Sequence, residues 1–169
     1  MKMPLWVVGV LCVVTPIFGE GFAASFVDPG WNGDKVPEGQ QCGKFGGEGT
    51  TPTLAVSGIP EGAYLLVLEF SERSFAAMDN GGHGKVGFEI AVGAGSVEVP
   101  SAPGHTTDLP AGFVVVAEHQ APTWDTVGAY LPPCSGGRGN EYYVTVKAVA
   151  SNGGELEELA SAVLEMGTY

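Results

Sequence analysis

Short apolar runs separated by turn-forming residues make up most of the chain after residue 24. The 27 glycines and 12 prolines fall between these runs rather than in one block, and such spacing is typical of many short strands. The pattern predicts strands over Leu54–Val56, Ala63–Glu69, Val86–Val92, Phe113–Glu118 and Tyr142–Ala150. We therefore expect a mainly β protein built as an antiparallel β-sandwich.

Two of the predicted strands have enough pattern to assign their faces. Ala63–Glu69 is almost continuously apolar, which predicts a strand that is covered on both faces. In Tyr142–Ala150 the residues at even positions are the more apolar set, so we expect them to face the core. Tyr143 would then face outward or towards a pocket.

One segment near the C-terminal end has the spacing of a helix. Its apolar residues recur at intervals of three or four positions: Leu156, Leu159, Ala160, Val163 and Leu164. Asn152 precedes the segment as a possible N-cap, and Gly167 lies just past its end. The predicted fold class is therefore an antiparallel β-sandwich with a short C-terminal helix.

The first residues have the composition of an export signal. Lys2 is followed by the mostly apolar run Leu5–Phe18 and then by small residues that suit cleavage at Ala23 or Ala24. The run is short and interrupted for a membrane span; a retained anchor is the alternative. We predict a signal peptide at residues 1–24, one domain at 25–169 with no membrane span, and a periplasmic or extracellular location.

The net charge limits the classes of partner that the protein can bind, and the cysteine content indicates its cellular compartment. The formal net charge of −12 disfavours binding to nucleic acid and to anionic lipid surfaces. Cys12 lies in the predicted signal, which leaves Cys42 and Cys134 as an even pair in an oxidising compartment. One interpretation is a disulfide between them, and the other is two free buried thiols.

The sequence offers little for catalysis or for metal binding. The histidines, His83, His105 and His119, lack the spacing of metal ligands. There is no Gly-x-Ser-x-Gly elbow for a nucleophilic serine. The glycine-rich run Ser135–Gly139 is not followed by the Lys-Ser/Thr step of a phosphate-binding loop. We therefore predict a non-enzymatic protein with no cofactor and no metal.

Three segments follow one another in an order that occurs in a known family. The first runs from Cys42-Gly43 to Gly58-Ile59-Pro60-Glu61-Gly62-Ala63, the second is Gly128–Cys134 with the strand after it, and the third is the predicted closing helix. They resemble the phosphatidylethanolamine-binding proteins, also called Raf-kinase-inhibitor-like proteins in bacteria, over about residues 36–169. The resemblance implies an antiparallel sandwich, a Cys42–Cys134 disulfide, and a binder of phosphate-type anions or an enzyme inhibitor rather than an enzyme.

The resemblance also implies where a ligand pocket would lie. The family builds its pocket from three short motifs, which fall here on Phe70-Ser71-Glu72, on Gly84-Lys85 beside His83, and on Glu141-Tyr142-Tyr143. The predicted ligand-binding residues are Phe70, Glu72, His83, Glu141 and Tyr143. Because phenylalanine and glutamate replace an acid and a histidine, the pocket loses donors and gains negative charge. We expect it to bind phosphate weakly and to prefer a neutral or amine-bearing ligand; a vestigial pocket without a ligand is the alternative.

The leading interpretation is a secreted binding protein of this class, whose partner is a small molecule or a lipid head group. The alternative is a protein-interaction module, such as an inhibitor of an extracytoplasmic enzyme, that uses its loops. An exposed apolar patch at Tyr130–Pro133 would favour the interaction module. A concave site containing Phe70, Glu72 and Tyr143 would favour the small ligand.

Overall fold

A computed structural model describes residues 21–121 and 123–169, and this part of the chain contains eight β-strands in two antiparallel sheets. The smaller sheet consists of β1 (Ala23–Phe26), β2 (Leu54–Ser57) and β5 (Ser96–Val99), which pair in that order. The larger sheet consists, in spatial order, of β6 (Phe113–Ala117), β4 (Lys85–Glu89), β3 (Leu65–Glu72), β7 (Glu141–Asn152) and β8 (Glu155–Thr168).

The helices of the described ranges are two 3-10 turns, Gly43–Phe45 and Ala76–Met78. Neither comes near the length that a membrane-spanning helix needs. The chain is thus almost entirely strand and loop in the part that the structure describes. Each strand must bury its apolar face against another sheet rather than against a helix.

Apolar side chains from both sheets pack into one core. The smaller sheet contributes Leu54, Val56 and Val99, and the larger sheet contributes Leu66, Leu68, Phe70, Val86, Val144 and Val146. The antiparallel β-sandwich that we predicted is therefore confirmed. The five predicted strands are also confirmed, because they overlap β2, β3, β4, β6 and β7.

The central strand β3 is buried on both faces, as its continuous apolar run predicted. Leu66 and Leu68 enter the core between the sheets, while Leu65 and Val67 pack with Val149 on the outer face of the larger sheet. The even-numbered residues at the start of β7 also face the core, as predicted. The register of these two strands is therefore determined by their apolar pattern.

The predicted C-terminal helix is wrong, because Glu155–Thr168 forms strand β8. Gly153 and Gly154 have φ of +62° and +94° and make a two-residue hairpin turn between β7 and β8, which requires positive φ at both positions. From Ala160 to Met166, burial alternates residue by residue along β8. The apolar spacing fits a helix as well, but pairing with β7 satisfies the backbone and decides the outcome.

Two short strands were not predicted. β5 follows the predicted strand Val86–Val92 after a short turn, and its four residues alternate, with Val97 and Val99 turned inward. β1 pairs with β2 from Ala23 to Phe26, so the predicted boundary after Ala24 falls inside this strand. The apolar run of the predicted signal peptide lies outside the described residues, and the signal peptide stays a prediction.

A disulfide joins Cys42 to Cys134, with 5.2 Å between their Cα atoms. The bond links the loop before β2 to the loop before β7, which are far apart in the sequence. The backbone N–H of Cys42 also donates to the carbonyl oxygen of Pro133 at 3.0 Å. Of the two interpretations of the cysteine pair, the disulfide is the one confirmed.

Replacing both half-cystines by serine should destabilise the protein by about 4 kcal/mol, because the bridge spans 92 residues and its loss frees a long loop in the unfolded chain. Urea unfolding of Cys42→Ser/Cys134→Ser beside the oxidised wild type measures this difference. An unchanged midpoint with an unchanged slope would contradict the expectation.

Gly154→Ala should lower the free energy of unfolding by about 1–2 kcal/mol, because alanine is strained at a φ of +94°. Gly95→Ala is the matched control, since an added Cβ meets open space at both positions and only Gly154 has positive φ. Urea unfolding of the two variants checks the comparison. Equal effects would mean that the β7–β8 turn does not need this glycine.

Candidate functional site

The adjacent strands β3 and β7 carry the polar residues at the centre of the candidate site. Glu72 ends β3 and lies opposite Tyr142 in the antiparallel pairing, two residues beyond the Phe70–Val144 pair. Residues directly opposite one another share a face of the sheet. Glu72 therefore continues the row of core-facing side chains, and it is only 4% exposed.

A glycine-rich turn between β3 and β4 brings His83 to Glu72. Gly84 has φ of +108°, and an added Cβ would lie 2.0 Å from the carbonyl oxygen of Ala129, so only glycine fits there. His83 is 2% exposed and donates from Nδ1 to the carbonyl oxygen of Leu131 at 2.8 Å. This bond leaves Nε2 directed at Glu72.

Two side chains are hydrogen bonded to the Glu72 carboxylate, and Tyr142 lies beside it. Nε2 of His83 lies 3.3 Å from Oε2, and this contact is an ion pair when the ring carries both protons. Asn140 donates from Nδ2 to Oε1. Tyr142 lies opposite Glu72 in the strand pairing, and its hydroxyl accepts a hydrogen bond from the backbone N–H of Cys134 at 3.2 Å.

These contacts decide the charge of the cluster. Burial by itself raises the pKa of the Glu72 carboxyl, but the hydrogen bonds from His83 and Asn140 and the charge of His83 outweigh it, so the pKa lies below its usual value. Burial also raises the pKa of Tyr142 to about 12, and the neighbouring Glu72 charge adds to the rise. Glu72 is therefore ionised near neutral pH, while Tyr142 keeps its proton.

A cleft of about 380 Å³ opens over this carboxylate, with Ser135 and the half-cystine Cys134 in its lining. Its rim carries the aromatic pair Phe75 and Trp124, whose ring centroids are 5.7 Å apart with 27° between the planes. Both rings are nearly half exposed. Arg138 lines the same cleft, is exposed, and makes no ion pair within residues 21–121 and 123–169.

The structure brings two of the five predicted site residues together, Glu72 and His83. Phe70 lies in the core, with its ring centroid 4.4 Å from that of Tyr130. Glu141 and Tyr143 lie on the opposite face of β7 from Tyr142, because side chains alternate along a strand. The expected concave site of Phe70, Glu72 and Tyr143 is therefore not formed.

Tyr143 belongs instead to a polar cluster on the outer face of the larger sheet. Its hydroxyl donates to Asp79, and the guanidinium of Arg73 lies 4.0 Å from its ring centroid. Arg73 also forms a bidentate ion pair with Glu165. Burial raises the pKa of Tyr143, and the hydrogen bond to Asp79 adds to the rise.

Sequence reasoning missed Asn140, which lines the cleft and donates to Glu72, and Tyr142, which lies opposite Glu72 in the strand pairing. The alternation of β7 was a usable signal, since Tyr142 shares the core face with Val144. Counting back two residues from Tyr142 selects Asn140 rather than Glu141. No sequence signal connects Phe75 and Trp124 to the cleft, because the loops that carry them meet only in the folded chain.

The other two histidines hold loops together. Nδ1 of His105 contacts Asp125, and its Nε2 accepts from the backbone N–H of Gly43 at 3.1 Å. Both ring nitrogens of His119 are hydrogen bonded to the backbone of the loop that carries Trp124. Within the described ranges, no three histidine, cysteine, aspartate or glutamate side chains lie close enough to hold a metal ion.

Glu72→Gln should lower the free energy of unfolding by about 2 kcal/mol at pH 7, because it removes the buried charge that His83 and Asn140 satisfy. The lowered pKa of Glu72 means that its ionised form stabilises the fold above about pH 4.5, the ordinary carboxyl value. This stability is lost as the pH falls through the lowered folded-state pKa.

Urea unfolding between pH 3 and pH 7, roughly the window in which carboxyls titrate, measures this linkage. Wild type should lose more stability on acidification than Glu72→Gln. Glu141→Gln is the control, because Glu141 is exposed and its side chain makes no hydrogen bond in the described chain; its effect should stay below about 0.5 kcal/mol. Parallel pH curves for wild type and Glu72→Gln would contradict the expectation.

No family model matches the chain, and a search among curated proteins finds no match either. The function must therefore be argued from the residues of the cleft and from the chemistry that they allow. The likeness to the phosphatidylethanolamine-binding proteins rests on the sequence motifs alone.

Proposed function

We propose that this chain is a secreted, non-enzymatic binding protein that resembles the phosphatidylethanolamine-binding proteins and takes a small ligand in the cleft over Glu72. The ligand is neutral or carries an amine, and it meets the protein outside the cytoplasm. One observation carries the proposal: an ionised carboxylate is buried beneath a cleft whose rim exposes an aromatic pair.

The donor and acceptor balance of Glu72 supports a ligand that donates hydrogen bonds. An ionised carboxylate has about four acceptor positions, and His83 and Asn140 occupy two of them. A remaining position suits an amine or hydroxyl of the ligand. A phosphate dianion at the same place would be repelled by about 1 kcal/mol or more, even at high dielectric.

The rim supports the same preference. Phe75 and Trp124 expose aromatic faces, which attract a cationic group by about 0.5–1 kcal/mol at an exposed site. Arg138, on the other hand, would be a counter-charge for an acidic group at the far end of a zwitterion. A ligand with an amine at one end therefore suits both the Glu72 carboxylate and the aromatic pair at the rim.

The side chains near the cleft support binding rather than catalysis. Cys134 is held in the disulfide and offers no thiolate. His105 and His119 have both ring nitrogens occupied by internal hydrogen bonds. The Tyr130–Pro133 segment, on which the protein-interaction alternative relied, is buried, and Glu72 lines a cleft that contains neither Phe70 nor Tyr143. The preference for a small ligand therefore rests on the residues that do line this cleft.

Isothermal titration with ethanolamine, phosphoethanolamine and inorganic phosphate tests the proposal. We expect heat of binding for the two amines and none for phosphate, because Glu72 accepts from an amine and repels an anion. Glu72→Gln and Trp124→Ala should each weaken amine binding roughly tenfold. Micromolar binding of inorganic phosphate would defeat the proposal.

Glu141→Gln is the matched control for Glu72→Gln, since it removes the same charge from the opposite face of the larger sheet. Amine binding should survive this change. Trp124→Ala guards against a folding artefact, because Trp124 is exposed at the rim and its truncation leaves the core intact. If both cleft variants bind amines as wild type does, the ligand site lies elsewhere.

A further inference from the structure

The strand β8 forms a long open edge on the larger sheet, away from the Glu72 cleft. It has 14 residues, whereas the other sheet edges, β6, β1 and β5, have five, four and four. One side of β8 pairs with β7 along its whole length. The segment Gly33–Val36 covers the C-terminal end of the strand: Thr168 bonds to Asp34 and Val36, and Gly33 lies against Glu165. Within the described chain, the stretch Glu155–Leu164 has no backbone partner other than β7.

Open edges of this length are ordinarily protected, since unpaired N–H and C=O groups accept another strand. The edge of β8 has no proline or lysine, and it carries exposed apolar side chains at Leu156, Leu159 and Val163. Within the described chain, the features of β8 that oppose pairing with a further strand are two bulges in the β7–β8 ladder and several glutamates. The strand is therefore competent to pair with a further strand.

The charges of β8 select the kind of strand that can pair. Glu155, Glu157, Glu158 and Glu165 are its charged residues, with no lysine or arginine among Glu155–Thr168. Glu158 and Glu165 are neutralised by Lys147 and Arg73. Glu155 and Glu157 make no ion pair within residues 21–121 and 123–169, so the hairpin end keeps an unbalanced negative charge.

A second copy of this chain is a poor occupant of the edge. Both copies carry a net charge of −12, so they repel each other. The edge of a second copy also offers no lysine or arginine to balance Glu155 and Glu157.

We propose that the open edge of β8 binds an extended basic segment of another protein, which adds a sixth strand to the larger sheet. Backbone hydrogen bonds to the edge supply affinity. Lysine or arginine side chains opposite Glu155 and Glu157 set the direction of the strand, and β-branched side chains pack beside Val163. This inference is independent of the ligand proposed for the cleft.

The test uses the whole domain and a labelled peptide of about ten residues in which lysine and valine alternate. We expect the peptide to bind and to protect the amides of β8 from hydrogen exchange. Val163→Lys should weaken binding roughly tenfold, because a lysine on an edge strand opposes strand addition and repels the basic peptide. Val92→Lys is the matched control, since both valines are more than half exposed and Val92 lies in a loop.

Several results would overturn the proposal. Binding that is equal for Val163→Lys and Val92→Lys, or that leaves the β8 amides unprotected, would mean diffuse attraction to an acidic surface. Equal binding of a peptide of alternating glutamate and valine would remove the basic requirement. A wild-type dimer in sedimentation that Val163→Lys dissociates would assign the edge to a second copy instead. Absence of lysine-peptide binding would also refute it.

Discussion

The pairing of β3 with β7 is the interaction on which the rest of the structure depends. Eight residue pairs join the two strands, from Leu65–Val149 to Glu72–Tyr142, at the centre of the larger sheet. Because side chains alternate, a slip of one residue would turn the apolar row of β7 outward and bury Lys147. The core therefore holds one register, and that register also sets Glu72 beside Tyr142.

The buried carboxylate at the end of this pairing is the energetic weak point of the fold and the centre of the candidate site. A charge at 4% exposure is tolerated only when donors satisfy it. Those donors come from two elements, the turn that carries His83 and the loop that carries Asn140. The disulfide ties the loop that carries Asn140 to the loop that carries Cys42. The hydrogen bonds around Glu72 are therefore expected to form and break together.

The distribution of charge gives the two proposed surfaces different chemistry. On the outer face of the larger sheet, Lys85 and Lys147 pair with Glu69, and Arg73 pairs with Glu165. In the cleft the charges are not paired with each other: the Glu72 carboxylate is buried, and Arg138 is exposed at the cleft lining. The hairpin end of β8 has uncompensated acid only. A small amine and a basic strand are thus attracted to different places on one acidic molecule.

The sequence by itself determined the sandwich class, five strands and the core face of β7, because alternation and apolar runs are local consequences of burial. It left the cysteine pair open between two interpretations and read β8 as a helix, since its apolar spacing satisfies both periods. The tertiary structure decided these points through the β7–β8 ladder and the approach of distant loops. It also decided the site: Glu72 and His83 meet as expected, but the alternation of β7 turns Tyr142 inward and Tyr143 outward, and the aromatic rim forms from loops that no local pattern connects.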